Sequence, residues 1–154
     1  MSILDALLGT WAGGGHGIYP TIAEFDYLER VTFTRSPKGF IVYQQTTSHP
    51  VTGAPMHAEV GYLRAPNDVD QLELVLVQPT GVTEVHSGAA VVDGGVLKVS
   101  FRSSNVSRTL TAKRVDEVIR NLTVTSDHLQ YEMHMASVGQ PLQLHLTGFL
   151  HREP

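Results

Sequence analysis

Polar and apolar residues alternate with a period of two along almost the whole chain, in runs rich in Val, Ile, Thr, Tyr and Phe. That is the pattern of strands with one face in a core and the other in water. It predicts strands over 9–16, 25–34, 40–48, 56–64, 71–78, 82–91, 96–102, 107–114, 117–125, 128–136 and 142–151. Separators at 36–39, 50–55, 66–70, 93–95 and 126–127 gather Gly, Pro, Asn, Asp and Ser, and each is short enough for a hairpin. Only 3–8 and 20–24 leave room for short helices. With some spans merging, about ten antiparallel strands joined by hairpins must either expose two edges or close, and a meander closes most simply into an up-and-down barrel. The expected fold is all-β, a single antiparallel up-and-down β-barrel over residues 1–154, with no linker or internal repeat. Eight strands enclose an interior filled by side chains or one small ligand, so about ten leave space for a ligand.

Composition narrows what such a container holds. The 154 residues carry 11 Lys plus Arg against 15 Asp plus Glu, a net charge of −4, without the basic stripe that a nucleic-acid partner needs. Cysteine is absent, which removes disulfides, thiol nucleophiles, iron–sulfur clusters and thiolate-ligated heme. The first residues lack a basic start and place Asp5 inside their only apolar run, so they do not read as a secretory signal. No run approaches the roughly 18 apolar residues of a membrane span. A cytoplasmic protein is expected, and the sequons at Asn105 and Asn121 then carry no chemistry. Eight histidines stand at 16, 49, 57, 86, 128, 134, 145 and 151, and any one of them alone reads as a solvated strand or turn residue.

The densest local signal surrounds the only tryptophan. Gly9, Gly13, Gly15 and Gly17 share an alternating register with Trp11, hence one strand face. Glycine there lets another group approach the backbone, or simply serves a bulged barrel corner. A phosphate loop is excluded, since no Gly-Lys-Ser/Thr follows and no strong helix opens.

The string Gly9-x-Trp11-x-Gly13-x-Gly15-x-Gly17-x-Tyr19-Pro20-Thr21-Ile22 resembles the signature of the nitrobindin family, heme-binding β-barrels akin in shape to lipocalins and fatty-acid-binding proteins. The resemblance continues through Gly53 to His57, Glu59 and Gly61 to Arg64, then Gln78 to Val82 and Glu84. It resumes at Thr111, Ala112 and Lys113 and ends with Met135, Val138 to Leu142, His145 and Leu146. It implies one five-coordinate ferric heme b per chain, its iron held by the histidine that matches His145, and a bacterial activity of peroxynitrite isomerisation to nitrate with nitric oxide as a further ligand.

His151 lies six positions on, on the same face of a regular strand but roughly 20 Å away, so one iron cannot use both. The same resemblance makes Met56, His57, Gln78 and Met135 pocket residues, sets Thr21 and Ile22 on the far side of the heme, and offers Lys113 to a propionate. Tyr131, Met133 and Met135 alternate against Gln130, Glu132 and His134, as in a wall with one apolar side. Met56 and His57 are neighbours and cannot both face inward without a bulge. Gly15 and Gly17 are expected to approach the heme or its entrance. No Arg–His pair lies in the glycine block, so a sparsely polar pocket is expected, suited to isomerisation rather than peroxidase turnover. A heme-based nitric oxide carrier or sensor would use the same residues, and a lipocalin-like binder of an apolar molecule would keep the barrel without needing His145. The residues leave the oligomeric state open, a homodimer included.

Overall fold

The computed structural model describes residues 2–154 except Asp68. A 3-10 helix, Ile3–Leu7, precedes ten strands: β1 (Gly9–Tyr19), β2 (Ile22–Arg35), β3 (Ile41–Ser48), β4 (Pro55–Arg64), β5 (Leu72–Val77), β6 (Val82–Asp93), β7 (Val96–Arg108), β8 (Val115–Val124), β9 (His128–Ser137) and β10 (Gln143–Arg152). Each strand pairs antiparallel with its sequence neighbours, and β1 pairs with β10 to close the barrel. The expected architecture is the observed one.

Two local expectations differ. The span 107–114 is no strand of its own: β7 runs through to Arg108, and 109–114 turns, with the Thr109 amide bonded to the Gly81 carbonyl and that of Ala112 to Thr109. Its Thr-rich alternation carries strand propensity, but Leu110 has nothing to pack on and stands fully exposed. The segment 20–24 is not helical: Pro20 and Thr21 form the tip of the β1–β2 hairpin, and Ile22 already belongs to β2. The turn expected over 66–70 includes Asp68, which lies outside the described residues.

In a meander, the starts of odd strands and the ends of even strands share one end of the barrel. The apolar cluster sits there, on Trp11, Phe33, Ile41, Leu72, Leu97 and Leu150 among others. The 3-10 helix plugs that end with Leu4 and Leu7. Ser2 caps it, the Trp11 indole donates to the Leu7 carbonyl at 2.8 Å, and the Arg152 guanidinium covers the Trp11 ring at 4.1 Å. Among the described residues the other end has no such plug, and the interior opens there.

Candidate functional site

A cavity of about 330 Å³ runs from the open end down to Leu7. His145 enters it from the start of β10 because the ladder with β9 slips: Leu144 pairs with His134 and Leu146 with Met133, leaving His145 between them without a partner. Such a bulge re-aims a side chain that regular pairing would hold elsewhere. Across the seam, β1 is irregular between Gly17 and Tyr19, and the freed Ile18 carbonyl accepts a hydrogen bond from His145 Nδ1 at 2.9 Å. The tautomer follows: with Nδ1 protonated, Nε2 keeps its lone pair. Burial lowers the pKa of the ring, partly opposed by the Ile18 bond, so the imidazole stays neutral. The edges of Tyr19 and Phe25 hold it at centroid distances of 5.1 and 6.4 Å.

The same bulge changes the place of His151. Leu146 and Leu150 turn inward beyond the extra residue, whereas His151 lies exposed outside, its ring against His128 and Phe149. The shared face expected from a regular strand is thereby corrected.

Met56 and His57 both line the cavity. The required bulge exists: between the pairs Thr46 with Ala58 and Ser48 with Pro55, β4 spends one residue more than β3, and the His57 amide donates to Thr47 Oγ1 at 2.9 Å instead of to the ladder. Gln78 and Met135 also line the cavity. Thr21 and Ile22 do not, being exposed on the hairpin tip, and Lys113 is exposed in the 109–114 turn. His16 points outward to Asp26 at 2.7 Å and Glu24 at 3.2 Å.

The glycine face of β1 does point inward, but aromatic rings take the space above it. A Cβ on Gly15 would lie 2.2 Å from the Tyr27 ring, and one on Gly17 equally close to Phe25. These glycines therefore seat the residues that wall the cavity, and neither Gly15 nor Gly17 is part of its lining.

The cavity surface is mostly apolar, as expected, but its wall is not. Between the apolar plug and the mouth lies a belt of buried polar side chains, with Glu29, Glu59 and Glu84 at 5%, 6% and 2% exposure. Arg120 bridges the last two, at 2.6 Å to Glu59 and 3.0 Å to Glu84. Gln78 donates to both carboxylates, Tyr43 donates to Glu59, and His86 pairs with Glu84 at 2.8 Å. Burial alone would raise the pKa of Glu59 and Glu84, but the Arg120 charge and these hydrogen bonds outweigh it and hold both below the usual carboxylate range. Glu29 has no such cation in contact. Burial pushes it up to about 7, against the Gln45 hydrogen bond and the neighbouring Tyr131 hydroxyl. The signal for this belt lay in the alternation, where Glu29, Glu59, Glu84 and Arg120 occupy inward positions otherwise taken by apolar residues.

These residues fit a heme. A neutral imidazole with its second nitrogen anchored is the ordinary protein ligand of heme iron, and Phe25, Met56, Met133, Met135 and Leu146 provide apolar wall around it. Comparison with known proteins agrees. The model of the THAP4-like, heme-binding β-barrel domain matches residues 1–152. Over 153 residues the chain is 46% identical to peroxynitrite isomerase 2 of Mycobacterium avium (strain 104), covering 99% of this chain and 94% of that one. It is 43% identical to the peroxynitrite isomerase of Nocardia farcinica (strain IFM 10152), covering 99% and 90%. The crystal structure of Rv2717c from M. tuberculosis superposes with a TM-score of 0.94 at 41% identity, over 98% of this chain and 95% of that one.

Proposed function

Since the chain belongs to the THAP4-like heme-binding β-barrel family, we propose that it is a peroxynitrite isomerase that carries one ferric heme b at the open end, with the iron on His145 Nε2. The carrying observation is the His145 ring itself, turned inward by a bulge and fixed in one tautomer by the Ile18 carbonyl. The heme, when bound, supplies the redox chemistry that breaks the peroxide bond and returns nitrate. Among the described residues, His145 alone would hold the iron. His57, the other histidine at the mouth, has Nε2 3.3 Å from the Glu59 carboxylate, which assigns it to the polar belt rather than to the metal.

Phe25, Met133 and Leu146 exclude water around the ligand histidine. The ionised Glu59 and Glu84, only half balanced by the single Arg120 between them, leave the belt below with an excess of negative charge that opposes deep entry of an anion such as nitrate. Nitric oxide would be a further ligand of the bound heme, and the cytoplasm is the compartment we assign.

Hemin titration followed by stopped-flow mixing with peroxynitrite tests the reading. A one-to-one endpoint, faster decay than with the heme-free chain, and nitrate as the product support it. One-to-one binding of hemin and nitric oxide without acceleration would make the protein a carrier. Failure to bind hemin would leave only the lipocalin-like reading.

A further inference from the structure

Four strands place one cross-strand row at mid-barrel: Tyr27 on β2 faces Gly15 on β1, Gly15 faces Gly148 on β10, and Gly148 faces Tyr131 on β9. A Cβ on either glycine would lie 2.2 Å from the ring of the neighbouring tyrosine, so both rings fold inward over bare backbone. Their hydroxyls meet at 2.5 Å, and the Tyr131 phenol also interacts with the Glu29 carboxylate, which Gln45 holds from the other side at 2.6 Å. All four side chains line the cavity that His145 enters.

The geometry points to a radical sink: Tyr27 and Tyr131, backed by Glu29, intercept the oxidising fragment of any peroxynitrite that fails to isomerise, and are themselves nitrated. This rests on the proposed reaction taking place in the cavity. Cleavage of the peroxide bond in peroxynitrous acid leaves nitrogen dioxide and a one-electron oxidant at the level of hydroxyl radical. Recombination of the two gives nitrate. When it fails, a phenol gives up one electron, and its proton passes by way of Glu29 to the oxygen that leaves as water. Nitrogen dioxide then adds to the ring carbon beside the phenoxyl oxygen, and the displaced ring hydrogen moves to that oxygen. The sum is one tyrosine and one peroxynitrous acid giving one 3-nitrotyrosine and one water.

The other three tyrosines lack such a base. Tyr19 bonds only to backbone, its hydroxyl set among the Met135 and Ser137 carbonyls and the Ser137 amide, which take up no proton. Tyr43 donates to Glu59 at 2.7 Å, but Arg120 keeps that carboxylate a weak base. Tyr62 is half exposed on the outer face of β4. Glu29, at about 7, is matched to proton uptake near neutrality.

The test uses the five tyrosines as internal controls. The hemin-loaded and heme-free chains are each treated with the same dose of peroxynitrite, and nitrotyrosine is mapped by peptide mass spectrometry. The expected result is nitration mostly on Tyr62 without heme, and at least a fivefold shift towards Tyr27 and Tyr131 with it. The double variant Tyr27→Phe/Tyr131→Phe, which keeps both rings over the glycines, should bleach its heme band at least twice as fast over repeated doses. A loaded chain that speeds peroxynitrite decay but is nitrated on Tyr62 alone overturns the sink and leaves the isomerase reading standing. A loaded chain with no effect on decay overturns both.

Discussion

Glu29 and His145 show how little a residue's type says about its chemistry before its neighbours are known. One histidine of eight, the proposed heme ligand, is fixed in a single tautomer because one carbonyl accepts its Nδ1 proton. One glutamate of three in the interior is pushed up to about 7 by its burial, with no cation in contact to hold it down. The sign of its effect on stability follows. The folded chain keeps the Glu29 proton up to about pH 7, whereas the unfolded chain releases it near 4.5, so stability falls as pH rises through that window. By pH 8 the cost is on the order of 3 kcal/mol. Glu59 and Glu84 act oppositely, and their contribution is lost only below the ordinary carboxylate range. Urea unfolding of the wild type and of Glu29→Gln should therefore agree at pH 5 and diverge by pH 8 in favour of the variant. Parallel curves would mean that Glu29 is already ionised at pH 5.

Among the elements, the strands were legible because period-two alternation is a direct image of a wall with one wet and one buried face. The bulges were not, since inserting one residue leaves no mark on composition. That is why His151 was expected on the face of His145, and why Met56 and His57 posed a conflict that only the extra residue in β4 resolves. The inward face of the β1 glycines was legible, but the rings that fill the space above them were not, because they come from β2. Gly15→Val puts a branched side chain into the Tyr27 ring, 2.2 Å from where its Cβ would stand, so the heme-free barrel itself should lose stability. A loss of about 1–3 kcal/mol is expected. Thermal unfolding of the heme-free variant measures it, and Gly15→Ala/Tyr27→Leu should recover part of the loss of Gly15→Ala. An unchanged heme-free melting temperature combined with weaker hemin binding would return the glycine to the heme.

At the scale of the whole molecule, the closed meander divides one interior into three layers: an apolar plug under the 3-10 helix, a polar belt around Arg120, and a mouth that carries His145. The first and third were foreshadowed, one by apolar alternation and the other by motif resemblance. The belt escaped because its charges sit on four different strands and meet only once the barrel closes. The central claim is that the mouth holds heme iron by His145 alone. His145→Leu keeps an apolar side chain of similar bulk, so the barrel should persist. The direct measurement is the absorption spectrum and peroxynitrite decay rate of hemin-mixed His145→Leu beside the hemin-loaded wild type, with circular dichroism confirming the fold. The variant should lose the histidine-ligated ferric spectrum and decompose peroxynitrite no faster than buffer, while His151→Leu keeps both. A His145→Leu protein with an intact five-coordinate histidine spectrum would contradict the account and move the ligand to His57.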